Sequence, residues 1–282
     1  MVYKAKEGII KEKLSRLSLF FVGMMLALAA SLTVFSSAQA ADSTVRVTGN
    51  TVDESAGENG SSGWWFNRDT NTDTPYEFNT DEASIGSGSL YVKPISSNPA
   101  DKFIAEYFYF EEIANVNSIS YDFKTDNESD VDQFYLNLYV NDGNDPTEFY
   151  DCRYEIVPSS LNPDPTTGFT TFTYDLSDPA SSVTQRSTSN INPCPISPSD
   201  LPDGAVLRAI SINVGDSSAN DTNLSGHLDN VVLNTASGTT TYDFEPEVQR
   251  KEDCKNGGYA TYGFRNQGLC IQYMNTGKDS RI

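Results

Sequence analysis

The chain has 282 residues, with 19 Lys or Arg against 39 Asp or Glu and a net charge of −20 at neutral pH. This acidic balance excludes nucleic acid as a principal partner, because such binding depends on basic side chains that neutralise phosphates. It also argues against anionic lipid surfaces, which attract basic segments. The chain has one histidine, His227, and four cysteines without CxxC spacing, so we expect no zinc site.

Residues 1–40 predict an export signal. The first sixteen carry five basic and two acidic side chains, an apolar run follows at 17–35, and Ala38 and Ala40 occupy the small-residue positions of a cleavage site. We expect cleavage after Ala40 and a secreted or cell-surface protein with no membrane segment after cleavage. Retention as an N-terminal anchor is the alternative, although the run is short and contains Gly23 and polar residues.

Between about 44 and 244 the chain repeats short runs of alternating apolar and polar residues, separated by clusters of Gly, Pro, Asn, Asp and Ser. Many such runs at short spacing predict half-buried strands packed as a sandwich or barrel, and hence an all-β fold. In chain order the predicted strands are STVRVTG, SLYVKPI, KFIAEYFYFEEI, SISYDFKT, DQFYLNLYVN, FYDCRYEIV, FTTFTYDL, AVLRAISINVG and GHLDNVVLNT.

Two of these runs make specific predictions. The run at 102–113 is apolar on both faces, so we expect a central strand there. In the run at 132–141, alternation directs Phe134, Leu136, Leu138 and Val140 inward and Tyr135, Asn137 and Tyr139 outward. Residues 178–204 are rich in Pro and Ser, and we expect a long surface loop there.

The four cysteines all follow the predicted cleavage site, and an even count in an exported chain implies two disulfides. Three connectivities are open. Proximity along the chain favours Cys152–Cys194 and Cys254–Cys270.

The composition changes near Pro246. Residues 41–245 hold 8 basic and 33 acidic side chains, whereas residues 246–282 hold 6 basic and 4 acidic ones. We therefore expect a domain over 41–245 and a short appendage over 246–282. Gly257 and Gly258 between Cys254 and Cys270 predict a small hairpin closed by a disulfide, which must dock on the domain or on a partner.

Two patches carry a resemblance to known families. HLDNVVL at 227–233 resembles the last strand of jelly-roll carbohydrate-binding modules and related galactose-binding-like domains. GWWF at 63–66, with the tail DCKNGG at 253–258 and NQGLC at 266–270, resembles a family of uncharacterised exported bacterial proteins, with Tyr259 where Trp is usual. These resemblances imply a jelly-roll-like antiparallel β-sandwich over 41–245 with a disulfide-closed tail, and they imply no catalytic activity.

Enzyme chemistry has weak support. A Ser–His–Asp triad would have to use His227, which lies at a predicted strand start with Asp229 two residues on and no GxSxG turn in the chain. We therefore predict no catalytic residues. Glycoside hydrolysis needs only two carboxylates, so an undetected hydrolase stays as the third hypothesis.

Calcium is the predicted cofactor. Asp69, Asn71 and Asp73 place oxygen ligands at alternate positions, as in the first half of a calcium loop, although Thr74 and Thr80 replace the later Gly and Glu of that motif. The resembled modules often contain a structural calcium near the last strand, which would recruit Asp229. The alternative is a set of solvated polar turns.

Aromatic side chains are the predicted ligand-binding groups. Adjacent Trp64 and Trp65 should face opposite ways in a strand, and Tyr91, Tyr135 and Tyr139 fall on outward faces. Their rings could pack against sugar C–H faces, or one or both sheets could be covered, which would make them core residues. We expect a secreted or cell-surface, non-catalytic module that binds carbohydrate. The alternative is a structural or adhesive surface protein that recognises other proteins.

Overall fold

The computed structural model describes residues 42–57, 60–67, 75–93, 95, 102–126, 134–143, 148–158, 168–177, 183–187, 194–215 and 224–281, with the backbone alone at 183–187. Residues 41–282 group into one compact unit. The predicted export signal at 1–40 lies outside the described residues. Within the described ranges, no helix has the length and apolar character needed to cross a membrane.

Two curled β-sheets pack face to face, which confirms the predicted all-β sandwich. Sheet A has seven strands: β1 (Ser43–Val47), β3 (Tyr76–Asn79), β4 (Ser89–Val92), β6 (Val116–Thr125), β9 (Thr170–Asp175), β12 (Gly226–Thr235) and β13 (Gly238–Phe244). Sheet B has six: β2 (Gly63–Phe66), β5 (Lys102–Glu112), β7 (Tyr135–Asn141), β8 (Cys152–Ile156), β10 (Val183–Ser187) and β11 (Val206–Gly215).

Sheet B runs β10-β8-β7-β11-β5-β2, and every neighbouring pair is antiparallel. The long apolar strand β5 lies between β11 and β2, as predicted for a strand that is covered on both faces. The expected surface loop at 178–204 is wrong in part. Residues 183–187 pair with the outer edge of β8, and residues Pro198–Asp200 form a 3-10 turn.

Sheet A forks at β12. One edge of β12 pairs with β6 along most of its length, while the other edge pairs first with β4 and then with β13. The pairing changes at Asp229 and Asn230, where Asn230 adopts a positive φ of 50° and the register with β6 shifts. β1 adds to β13 in parallel, which is an exception to the antiparallel arrangement expected from the sequence.

The core lies between the inner faces of the two sheets. Phe134, Leu136, Leu138 and Val140 are all fully buried there, which confirms the predicted inward set. Aromatic rings connect the sheets: Trp64 of β2 lies 5.1 Å from Phe244 and 5.5 Å from Tyr242, in edge-on contacts that favour ring pairs.

The C-terminal segment is helical, so the predicted hairpin is wrong. It forms α1 (Gly258–Thr261) and α2 (Gln267–Thr276). Asn266 caps α2 by accepting a hydrogen bond from the N–H of Leu269 at 3.0 Å, and Gly277 ends it with a φ of 69°. These local signals outweigh the paired glycines, of which Gly257 caps α1 with a φ of 91° and Gly258 begins it.

Both predicted disulfides, Cys152–Cys194 and Cys254–Cys270, are present. The second closes a small cluster with Val248 and Phe264. The appendage docks on the sandwich, because Arg46 of β1 pairs with Asp279 at 3.2 Å, and the buried Arg281 ties the end of the appendage to its start by donating to the carbonyl of Pro246.

Candidate ligand-binding face

The outer face of sheet B combines aromatic and polar side chains in register. We call one transverse set of residues the polar row: Glu106 on β5, Ser211 on β11, Asn137 on β7 and Glu155 on β8, with Trp65 of β2 at its end. Two residues further along the strands lie Phe108, Ala209, Tyr139 and Arg153. Period-two alternation therefore places rings directly beside hydrogen-bonding groups.

Rings at one end of this face form what we call the outer aromatic patch. Its members are Trp65, Phe110, Tyr139, Phe149 and Tyr150, all partly exposed around the buried Phe108. Phe108 lies 6.5 Å from Trp65 and 5.7 Å from Phe149, and Tyr139 lies 5.1 Å from Tyr150. Gly57 closes over Phe108: its φ is +84°, and a Cβ there would meet the Phe108 ring at 2.3 Å.

The polar row is recessed below the patch and largely satisfied. Asn213 donates to the hydroxyl of Ser211 at 2.8 Å, and Ser211 also bonds the hydroxyl of Tyr139. Burial, followed by the charge of Glu106, raises the pKa of Tyr139, so its hydroxyl keeps its proton at neutral pH. Arg153 lies 3.6 Å from Glu155.

Asn137 is the exception in this row. Its side chain is only 3% exposed, yet its Oδ1 has no hydrogen-bond partner among the described residues. An unpaired buried acceptor costs free energy, which a ligand hydroxyl or amide would recover.

The five aromatic candidates from the sequence separate into three groups. Trp65 and Tyr139 belong to the outer aromatic patch, and Tyr135 is on the same face but only 7% exposed. Trp64 is a core residue, and Tyr91 lies on sheet A. Sequence analysis missed Phe110, Phe149 and Tyr150. Phe110 could have been found from the apolar residues on both faces of β5, whereas Phe149 and Tyr150 come from the loop before β8.

Tyr91 belongs to a different environment on the outer face of sheet A. Its ring lies 4.8 Å from the His227 ring, and His227 Nδ1 lies 2.8 Å from the hydroxyl of Ser89. Ser89 donates its proton to the carbonyl of Glu82, so His227 donates to Ser89. Burial lowers the pKa of His227. This geometry binds the loop before β4 to β12. Because His227 donates to Ser89, it does not act as the base that would activate the Ser89 hydroxyl.

Asp229 stabilises the fork of sheet A. Its carboxylate accepts four backbone N–H bonds, from Ser84 and Ile85 at 3.0 Å, from Asn230 at 2.8 Å and from Phe244 at 3.1 Å. Burial raises its pKa to about 7, against the effect of these donors. As a calcium ligand, Asp229 would have to share oxygens that these N–H groups already occupy.

The other predicted calcium ligands, Asp69, Asn71 and Asp73, lie outside the described residues. Over the part of the chain that the structure does describe, no three His, Cys, Asp or Glu side chains group as a metal site would require. Calcium binding stays a prediction.

The acidic side chains of the polar row are too far apart for glycoside hydrolysis by the usual pair. Glu106 and Glu155 are separated by three strand spacings, about 14 Å, whereas catalytic carboxyl pairs lie about 5 to 9.5 Å apart. The expectation that the protein is not an enzyme stays a prediction.

No protein-family model and no curated protein sequence matches this chain. Among solved structures it is similar to the glycoside hydrolase domain of Endo-D from Streptococcus pneumoniae R6 (10% identity, TM-score 0.32, 59% of this chain and 21% of that one). It is also similar to a β-1,2-glucanase from Parabacteroides distasonis (14%, 0.33, 61% and 22%) and to a family 28 carbohydrate-binding module specific for non-crystalline cellulose (19%, 0.36, 67% and 98%). The chain thus spans about a fifth of either glycosidase structure, and TM-scores this low leave the function to be argued from the face itself.

Proposed function

We propose that this protein is an exported, non-catalytic module that binds carbohydrate on the outer face of sheet B. The observation that carries the proposal is the juxtaposition of partly exposed rings, Trp65 and Tyr139, with a polar row in which Asn137 Oδ1 is unpaired. Sugar rings have apolar C–H faces and hydroxyl edges. A surface that offers aromatic rings beside buried hydrogen-bonding groups is complementary to both.

The spacing of the rings points to an oligosaccharide. Trp65 on β2 and Tyr139 on β7 are separated by β5 and β11, a distance of about 14 Å across the strands. Several linked sugars are needed to contact both rings and the polar row between them. The ligand therefore runs across the strands, with Glu106 and Ser211 beneath its central units and Asn137 beside Tyr139 at one end.

The net charge of the protein selects among glycans. Glu106 and Glu155 belong to the polar row, while Arg153 lies 3.6 Å from Glu155 and the Arg208 guanidinium lies over the Phe110 ring. The local charges therefore balance, and the expected preference for neutral glycans over uronate-containing or sulfated ones rests on the net charge of −20 of the whole chain.

Export and calcium complete the proposal. Two disulfides form and persist in oxidising compartments, which supports secretion through the signal predicted at 1–40. Calcium is proposed as a structural ion of the acidic segment at 69–73, and binding assays in chelator test it separately.

The test is a glycan-array screen of the mature chain 41–282, in calcium and in chelator. We expect binding to neutral oligosaccharides, lost with Tyr139→Ala and reduced about five-fold or more with Asn137→Ala, which removes one hydrogen bond of about 1 kcal/mol. Tyr91→Ala, on sheet A, is the matched control and retains binding. Loss in chelator alone would assign the effect to calcium.

Two outcomes contradict the proposal. Binding that disappears with Tyr91→Ala but survives Tyr139→Ala places the site on the other sheet. Silence across the whole array removes carbohydrate as the ligand class, and recognition of another surface protein through the sandwich edges or the appendage then becomes the leading hypothesis.

A further inference from the structure

A cavity lies at one end of the sandwich, and no residue of the polar row lines it. We call it the end pocket. It has a volume of about 450 Å³ and lies between the 3-10 turn Ile113–Asn115, the start of β6, the end of β9 and residues 198–203. This volume is in the range of pockets that enclose small ligands or single side chains.

The end pocket has an aliphatic floor and a polar rim. Ile113, Val116, Leu176 and Pro198 are buried at the floor. The exposed rim is formed by Asn117, Asn234, Ser199, Asp175 and Asp203. No aromatic side chain is among the described residues that line it.

Charge restricts the ligand further. Among the described lining residues there is no Lys, Arg or His, while Asp175 and Asp203 contribute two carboxylates to the rim. Asp175 is fixed in place, because it accepts hydrogen bonds from the N–H and the hydroxyl of Ser177 at 2.8 and 2.7 Å. An anionic ligand is therefore excluded, and a cation with an aliphatic body is complementary.

We propose that the end pocket binds a lysine side chain of a partner polypeptide. A lysine has a four-carbon stem that can pack on Ile113 and Leu176 and an ammonium that can remain at the rim between Asp175 and Asp203. Arginine fits less well, because its planar guanidinium gains most from aromatic stacking, which the described lining lacks. Asn117 donates a long hydrogen bond of 3.4 Å to Asn234 Oδ1, which leaves Asn117 Oδ1 and the amide N–H groups of Asn234 for the backbone of the same partner.

Residues 198–203 form the outer wall of the end pocket, and covalent and hydrogen-bonded connections fix this wall. Cys194 ties the segment that precedes the wall to β8, and Ser197 caps the 3-10 turn by accepting from the N–H of Ser199. The N–H of Ile113 bonds the carbonyl of Ala205 at 2.8 Å. A wall held at both ends is preorganised, which reduces the entropic cost of binding.

The experiment is an NMR titration of ¹⁵N-labelled 41–282 with Nα-acetyl-lysine methylamide. We expect shift changes at Asn117, Leu201 and Asn234, and weaker binding of the norleucine analogue, which keeps the stem and lacks the ammonium. Asp203→Lys should weaken lysine binding by about five-fold or more, since an attractive exposed pair becomes repulsive. Asp200→Lys, three residues before Asp203 and outside the lining, is the matched control.

Equal effects of Asp203→Lys and Asp200→Lys would reduce the interaction to general charge attraction and overturn the proposal. The proposal would also be overturned if the norleucine analogue bound as tightly as the lysine probe. The same holds if the NMR signals of the rim residues did not shift up to the solubility limit of the probe. Trp65→Ala should leave lysine binding unchanged, so this test is independent of carbohydrate binding on sheet B.

Discussion

The outer faces of the two sheets use buried polar groups in opposite ways. On sheet A, Asp122 accepts hydrogen bonds from Asn230 at 2.8 Å and from Thr171 at 2.6 Å, and the hydroxyl of Ser84 donates to it as well. On sheet B, the polar row leaves Asn137 Oδ1 without a partner in the described structure. The first face is bonded to its own loop at 81–89, and the second retains capacity for a ligand.

The comparison shows that composition alone does not identify a binding face. Both outer faces carry carboxylates, amides and tyrosines, yet on sheet A Asp122 and Asp229 bond neighbouring side chains and the backbone of the covering loop. Among the buried carboxylate oxygens described on that face, only Asp243 Oδ1 lacks a hydrogen bond. Satisfied networks rigidify a fold, whereas an unpaired buried acceptor costs free energy until something binds it.

The largest expected effect comes from breaking the sheet A network. Asp229→Ala leaves four buried N–H groups without their acceptor, and we expect the free energy of unfolding to fall by about 4 kcal/mol or more. Urea denaturation followed by circular dichroism measures this loss. Asp53→Ala is the control, since its carboxylate is exposed and, among the described residues, accepts hydrogen bonds from the nearby Ser55 alone. A fall below about 1 kcal/mol for Asp229→Ala would show that the fork does not depend on it.

The adjacent tryptophans sharpen the contrast within β2. Trp64→Ala removes a core ring and should lower the free energy of unfolding by about 3 to 5 kcal/mol. Trp65→Ala removes a partly exposed ring of the outer aromatic patch and should cost about 1 kcal/mol while weakening glycan binding at least as strongly as Asn137→Ala. Denaturation and glycan titration are run on both variants. Equal losses of stability would place Trp65 in a second core rather than in a binding surface.

The smallest expected effect is a pH dependence at His227. Because its folded-state pKa lies below 6.5, the stabilisation it provides is present above that pH and is lost as the pH falls below it. Asp243 acts in the opposite direction: burial, then the charge of Glu245, raises its pKa to about 6, so its contribution is lost as the pH rises through that value. Unfolding of the native chain and of His227→Gln at pH 7.5 and 5 isolates the histidine.

We expect the native chain to lose more stability than His227→Gln on acidification. Asp126, Glu82, Lys124 and Asp81 are the charged groups that act on His227, and they are unchanged in the variant. A difference between the two proteins that is constant with pH would contradict the depressed pKa.

Much of the sandwich could be predicted, because strand alternation is a local property. The alternation at 132–141 correctly separated Leu136 and Leu138 from Asn137 and Tyr139. The fork at β12 and the parallel pairing of β1 could not be predicted, because they depend on which distant strands meet. α2 was missed because the paired glycines between Cys254 and Cys270 suggested a hairpin, although Leu269, Cys270, Tyr273 and Met274 recur at i, i+4 spacing.

The candidate face was predicted in part. Trp65 and Tyr139 follow from alternation. The burial of Tyr135 depends on tertiary packing, and so do the positions of the Phe149 and Tyr150 rings. The role of Asp229 was out of reach for the same reason. Three of its four donors, Ser84, Ile85 and Phe244, come from other segments of the chain.

The parallel pair of β1 and β13 sets where these two strands begin and end in sheet A. Ser43 lies beside Thr240, and the neighbouring Thr239 pairs with Asn234, which borders the end pocket. Val47 lies beside Phe244, after which the chain enters the helical appendage. The end pocket and the start of the disulfide-closed tail therefore lie at opposite ends of β13, so that two partners could be bound without competing for the same edge of the sheet.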